Sequence, residues 1–419
     1  MSVLLKIKRI RAAFFLLLVV VSGIFVGQSR AQNASYSVNG LYGFYVENAG
    51  DSLHAHWITA KGDAGFLEAA SDNKTYFSGK TALGRVHTLT FPKNSASQID
   101  LRFGAVNDQS DRHAVSIDFD RIENRPHARH SKADSVFVLG DVHGRFDQLT
   151  QLLKNAKVID ENLNWSAGRA HLVFLGDLFD RGHDVTRLLW FIYQLEQQAL
   201  KHRGFVHVVL GNHEIMTFVD DLRYLSEKEK LISTFLGVGY AKMYHPQTSL
   251  LGSWLASKPG IARINDVLYA HGGVTPNYAK WSIPTYNDSL FAFIKEPVFF
   301  DLLGDSTVTA KYEETYFTDR LNFFFAPVSP YWFRGYVNSD TLDKHLDFVL
   351  KKFKAKTHVV AHTPVDSIRA FYGDKIIAVD LLDAATEMLL LVRRKKKTHR
   401  FRYTISGQIH PLGEGFIKK

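Results

Sequence analysis

Three hydrophobic patterns follow one another along the chain. The first begins with Lys6, Lys8, Arg9 and Arg11, continues through an apolar run over 12–26, and reaches Ser29-Arg30-Ala31. A basic start, an apolar run shorter than the ~18 residues of a spanning helix, and a small-x-small site predict a secretory signal peptide over 1–31. Over 35–120, apolar and polar positions alternate in short runs, as at 40–46, 53–58 and 114–119, with Gly, Asp and Asn between them. Period two predicts half-buried strands, so 32–123 reads as an all-β sandwich or small barrel. His54 and His56 share one face of such a strand and fit a solvent-facing pair. Residues 124–134 are polar and basic with one proline, which predicts a linker.

From Ser135 the pattern changes again. Apolar runs at 135–139, 170–175 and 205–210 alternate with helical periodicity at 146–154 and 184–200. In the second of these helices Leu188, Leu189, Phe191, Ile192 and Leu195 fall near one face. Strand, loop and helix in repetition predict an α/β layer. Farther on, Ser339 fits the cap of a helix reaching about Lys354, and 357–361 fits a strand. Two short runs around Gly373-Asp374 predict a hairpin, and 388–393 and 399–406 continue as strands. The second domain, 135–419, is thus richer in antiparallel β toward its end.

Composition narrows the class. Of 419 residues, 46% are hydrophobic and 22% charged, an ordinary globular balance. The absence of cysteine removes disulfides, thiolate nucleophiles and Cys-ligated zinc, and suits a periplasmic or secreted protein that rests on its core. Five of the nine net positive charges fall within 1–31, which leaves a mild +4 and no broad basic surface for nucleic acid. The densest basic stretch, Arg393-Arg394-Lys395-Lys396-Lys397, reads as an edge strand guarded by cations.

Candidate chemistry sits where the apolar runs end. Gly140-Asp141-Val142-His143-Gly144, Gly176-Asp177-Leu178-Phe179-Asp180-Arg181-Gly182, Gly211-Asn212-His213-Glu214, His271-Gly272-Gly273 and His362 supply Asp, His and Asn donors, the first four segments beside glycine. That is the ligand set of two hard or borderline divalent metals, held on tight turns at strand ends. Asp177 is the best candidate for a bridging carboxylate. Asp141 and His143 can turn onto one metal, and Asn212, His271 and His362 can complete the second. Two metals about 3.5–4 Å apart lower the pKa of a water between them toward about 7, which suits hydrolysis of a phosphate ester. His213 then fits a proton donor oriented by Asp180, and Arg181 and Arg334 fit binding of phosphoryl oxygens. Glu214 fits a supporting role behind the ligands, and Arg145 fits a phosphate contact or a helix start equally.

Four motifs in this order resemble the phosphoprotein phosphatase family of metallophosphoesterases. The resemblance covers 135 to about 380, and the Trp332-x-Arg334-Gly335 segment is most similar to its bacterial Shewanella-like branch. It implies an α/β (α+β) metallophosphoesterase fold, with a central β-sandwich flanked by helices, preceded here by the small all-β domain. It also implies two manganese, iron or zinc ions, attack by metal-bound hydroxide, and phosphoprotein or phosphopeptide substrates, phosphotyrosine among them. Two other readings stand beside it: a nucleotide or dinucleoside polyphosphate hydrolase, and a non-catalytic exported binding protein. Between 276 and 336 there are 17 aromatic residues in 61, twice the chain's average, which fits either a cap for an aromatic substrate or a self-packed insertion.

Overall fold

The computed structural model describes residues 43–296, 315–382, 385–395 and 397–413. The signal segment over 1–31 and the middle of the aromatic stretch, 297–314, lie outside the described residues. Among the described residues no helix is long and apolar enough to cross a membrane.

Alternation in the amino-terminal region produces β1 (Tyr45–Asn48), β2 (Ser52–Ser71), β3 (Lys74–Pro92), β4 (Gln98–Ala105) and β5 (Arg112–Asp118). They form a single antiparallel sheet in the order β1-β2-β4-β5, with β3 also paired to β2. The sandwich or barrel expected for 32–123 is corrected on this point. The apolar face is closed by helices of the following region. Leu53, Ala55, Trp57, Leu67 and Phe103 share one core with Leu189, Trp190 and Tyr193 of the helix Val185–Lys201. The Trp190 indole donates to the Phe44 carbonyl at 2.8 Å, and the Gln194 amide pairs with both backbone groups of Ser116. Periodicity shows that a strand has an apolar face, not what covers it.

The expected linker holds a short strand, β6 (Arg129–His130). It pairs in parallel with β10 (Ala262–Ile264) at the edge of a six-stranded sheet. That sheet runs β13 (Arg369–Phe371), β14 (Ile376–Ala378), β12 (Thr357–Val360), β11 (Val267–Tyr269), β10, β6. A second runs β17 (Ile409–Pro411), β16 (Lys397–Thr404), β15 (Glu387–Arg394), β7 (Ser135–Leu139), β8 (His171–Phe174), β9 (Phe205–Val208). The two face each other as a sandwich. Val136, Val138, Val173 and Leu175 meet Val267, Tyr269, Val359 and Ile377 between the sheets, while Phe137, Leu139, Leu172 and Phe174 join the helix-side core. Both faces of β7 and β8 are therefore buried, which is why their sequences are continuous apolar runs. Each such side chain contributes about 1.5–3 kcal/mol.

Two local expectations are also revised. Ser339 has extended backbone and ends the short helix Gly335–Asn338, and the longer helix begins only at Asp343. The Gly373-Asp374 hairpin is real, but Phe371 pairs with Ile376, so its loop has four residues. The basic stretch lies at the end of the β15–β16 hairpin, where Arg393 and Arg394 pair with Thr398 and Lys397, and farther along β16 Arg400 and Arg402 pair with Asp374 and Glu387.

Candidate metal centre

Strands β7, β8, β9, β11 and β12 end along one rim, and the loops leaving them are stitched together by backbone bonds. The Val142 and His143 amides both donate to the Asp177 carbonyl, at 3.1 and 2.9 Å, and Ala361 N–H donates to the His271 carbonyl at 2.7 Å. The buried Glu214 ties the second loop to the third. Its Oε2 accepts from the Asp177 and Gly211 amides and its Oε1 from Leu178, all within 2.9 Å. Glycine is required where loops touch: a Cβ on Gly176 would lie 2.5 Å from the Gly211 backbone, and one on Gly211 would lie 2.3 Å from Asp177 Oδ1. His143, Asp177, Asp180, Arg181 and His362 all adopt positive φ, a conformation costing of order 1–3 kcal/mol each that the stitched loops enforce.

These turns bring together all six expected metal donors, with His213 and Asp180. The donor atoms of His143, Asp177 and His213 lie within 4.8 Å of one another, as do those of Asp177, His271 and His362. Asp177 belongs to both groups. Its Oδ2 is 4.0 Å from His143 Nε2, 3.7 Å from His213 Nε2 and 3.3 Å from His271 Nε2. Asp141 Oδ2 is 3.7 Å from His143 Nε2, Asn212 Oδ1 is 3.0 Å from His271 Nε2, and the rings of His271 and His362 are 5.0 Å apart. His213 Nδ1 and Asp180 Oδ2 are 2.5 Å apart, and both residues are buried.

Whether these residues suit a cation follows from their tautomers. His143 Nδ1 and His271 Nδ1 donate to the carbonyls of Phe179 and Leu175, each at 2.7 Å. The carbonyls can only accept, so in the neutral ring each Nε2 carries the lone pair and faces carboxylate or amide oxygen, a place that calls for a proton or a metal ion. Lone pairs set against acceptors repel unless a positive charge lies between them. Buried Nε2 of His143 and of His362 has no hydrogen-bond partner. Titration tells the same story. Burial alone would lower the His271 pKa, but Asp177 and Asp141 push it up to about 10. Burial would raise Asp177, yet His271, His213 and His143 hold it well below the usual carboxylate range. The residues fit two cations sharing Asp177, with Nδ1 partners that orient each imidazole from behind.

Two residues escaped the sequence reading. Asp380 follows β14 and is buried, and burial with Asp141 and Asp177 nearby pushes its carboxyl up to about 8. It too ends an apolar run, at Ala378-Val379, but no glycine flags it. Tyr224 is 47% exposed, with its ring centre 5.4 Å from that of His213 and 5.9 Å from the Arg181 guanidinium. The two arginines are exposed at the rim, and Arg334 donates to the His362 carbonyl. Arg145 is an exposed N-cap residue without a capping side-chain bond. Of the aromatic stretch, Tyr278, Tyr286, Phe293, Phe324 and Tyr331 are buried, and their rings pack on one another and on Phe323 and Phe325.

Fold and site together define the class of protein: a metal-dependent hydrolase of phosphoesters. The model of calcineurin-like phosphoesterases matches residues 135–366, more than half of the chain, and the chain belongs to that family. The family uses a dinuclear metal centre. The crystal structure of a cold-active protein-tyrosine phosphatase from a psychrophilic Shewanella species is similar over 88% of this chain and 98% of that one, with a TM-score of 0.68 and 31% identity. That coverage exceeds what 135–419 contains, so the likeness extends into the amino-terminal sheet, beyond the span the motifs suggested. Shewanella-like protein phosphatase 1 of Plasmodium berghei is 30% identical over 155 residues, 36% of this chain and 42% of that protein. A symmetrical bis(5'-nucleosyl)-tetraphosphatase of Vibrio campbellii is 30% identical over 153 residues, 36% of this chain and 48% of that protein. The chain thus spans less than half the length of these two curated relatives.

Proposed function

We propose that the protein is an exported phosphatase of phosphoprotein or phosphopeptide monoesters, with phosphotyrosine the favoured group. The observation that carries this reading is the His213–Asp180 pair at 2.5 Å. Burial works against the charged imidazole, but Asp177 and Asp180 raise its pKa above the ordinary value and so favour the protonated ring. Asp180 occupies Nδ1, which leaves Nε2 facing the Asp177 side of the site, where a leaving oxygen takes up that proton. Arg181 and Arg334 bind phosphoryl oxygens from the rim. Asp141, His143, Asp177, Asn212, His271 and His362 would hold two ions of manganese, iron or zinc, which supply charge for the phosphoryl oxygens and a hydroxide nucleophile at neutral pH.

Phosphotyrosine is favoured because Tyr224 offers an exposed ring beside both His213 and Arg181, at the distance where aromatic faces meet. The likeness to a protein-tyrosine phosphatase over 98% of that chain supports the same choice. The tetraphosphatase relative supports a second reading, a dinucleoside polyphosphate hydrolase. Rates on a phosphotyrosine peptide, its phosphoserine counterpart and diadenosine tetraphosphate separate the two. We expect the phosphotyrosine peptide to be fastest, and a faster cleavage of diadenosine tetraphosphate than of both peptides would overturn the proposal. Failure of the metal-loaded chain to cleave para-nitrophenyl phosphate would favour the non-catalytic binding protein. Export rests on Lys6 to Arg11, the apolar run and Ser29-Arg30-Ala31. It predicts a mature chain beginning at Gln32, read by amino-terminal sequencing of protein recovered outside the cytoplasm.

A further inference from the structure

A second group of histidines lies away from the rim. His130 is on β6, at the edge of one sheet, His171 opens β8, and His207 is on β9, at the edge of the other sheet. Their donor nitrogens lie within 4.8 Å of one another. His171 Nδ1 and His207 Nε2 are 2.9 Å apart, and the ring centres of His130 and His207 are 4.6 Å apart. His130 Nε2 donates to the His127 carbonyl at 2.8 Å, which leaves the lone pair on Nδ1. Phe205 walls the group, with its ring 4.8 Å from those of His130 and His171. None of the phosphatase chemistry uses these residues.

We propose that His130, His171 and His207 bind one divalent cation of the zinc, copper or nickel kind, which clips the two sheets together where the chain enters the sandwich. Three imidazoles without a carboxylate select borderline metals over magnesium or calcium. A tetrahedral ion with bonds of about 2.1 Å needs nitrogens about 3.4 Å apart, so ligation asks the pair at 2.9 Å to part slightly and the third ring to close in. His171 is 5% exposed while His130 and His207 are half-buried, so the ion has a protein-lined seat and a fourth place open to water. Burial and mutual proximity keep all three imidazoles neutral at pH 7, the form that ligates. Lys258, whose charge also acts on His207, is paired with Glu196 at 2.8 Å. The clip joins segments that are 77 residues apart at their extremes, from His130 to His207.

The test uses the full chain, stripped with chelator and reloaded with buffered zinc. We expect His130→Ala, and His207→Phe as the ring-filling alternative, to carry one zinc fewer per chain than wild type. Both should still cleave para-nitrophenyl phosphate, which shows that they fold. Zinc should raise the wild-type Tm by several degrees more than it raises that of either variant, which keeps only the rim ions. Equal zinc content in wild type and a folded variant would overturn the site. Anomalous diffraction at the zinc edge from wild-type crystals decides without any variant: a peak between β6 and β9 supports the clip, and peaks only among the Asp177 loops refute it.

Discussion

The two histidine groups are built from the same side chain and behave oppositely. On the rim, imidazoles stand among Asp141, Asp177, Asp180 and Asp380, with His143, Asp177, Asp180 and His362 held at positive φ. There the carboxylates overcome burial at two rings, raising His213 and bringing His271 up to about 10, while at His362 burial prevails and holds the ring down to about 2. Between β6, β8 and β9 no carboxylate opposes burial, which pushes His171 down to about 4 and His207 well below its ordinary value. A third arrangement is His358, whose Nδ1 donates to Leu268 and whose Nε2 accepts from Val274, so that both nitrogens are satisfied by backbone. Acid neighbours make a site that draws in cations and holds a proton for chemistry. Their absence leaves neutral donors suited to a single borderline metal. Full backbone pairing leaves a histidine that only packs.

Replacing the bridging carboxylate tests this contrast most severely. Asp177→Asn should reduce phosphoester hydrolysis by about 10³-fold or more, the scale seen when a group acting as part of a catalytic unit is lost. Metal analysis should show the rim ions lost and the β6–β9 zinc kept. If both sites emptied together, the two would not be independent. His213→Asn comes next, with a loss of about 10²–10⁴-fold on alkyl phosphates, which need a proton on the leaving oxygen. The loss should be smaller on para-nitrophenyl phosphate. Equal losses on both substrates would remove His213 from the proton-donor role.

The backbone-paired histidine contributes to the acid limb of stability. Burial depresses His358 from 6.5 to about 4, so the folded state favours its neutral form. That contribution is complete above about pH 6.5 and disappears as pH falls toward 4. Moving the metal-free protein from about pH 8 to about pH 4 should forfeit about 3 kcal/mol through this one residue. Denaturant unfolding at the two pH values, in wild type and His358→Gln, measures it. An unchanged pH dependence in the variant would assign the acid limb elsewhere.

How much of this could be read along the chain depends on how each site is assembled. The rim was legible because Asp141, His143, Asp177, Asn212 and His271 each sit beside glycine, and tight turns at strand ends need those glycines, while His362 follows Ala361 and was marked only by the apolar run before it. Asp380 was missed because Gly140, not a neighbour of its own, provides the close approach: a Cβ there would lie 2.3 Å from the Val379 carbonyl. The β6–β9 cluster was illegible because its parts look ordinary singly. His130 is one polar residue in a basic linker, and His207 one alternation in a strand. Only the antiparallel β10–β11 pair and the order of both sheets bring those edges together. The amino-terminal sheet was legible as strands, but its covering helix lies about 70 residues farther on and carries no mark of that partnership.

Each histidine group also has one phenyl ring against it, and the smallest expected effect separates their duties. Phe205 is half-buried between His130 and His171, where a ring can only shape a seat. Tyr224 stands out from His213 at the rim with nearly half its surface in water, while Tyr286, Phe293 and Phe324 of the neighbouring aromatic stretch are buried against one another. An aromatic pair is worth about 0.5–1.5 kcal/mol beyond buried area, so Tyr224→Ala should lower kcat/KM on a phosphotyrosine peptide by about 2–10-fold. Tyr224→Phe should retain most of it, because the ring and not the hydroxyl makes the contact. Hydrolysis of the phosphoserine peptide should stay level in both variants. A parallel drop on both peptides would mean that Tyr224 supports the His213 loop, and the preference for an aromatic leaving group would then lose its structural basis.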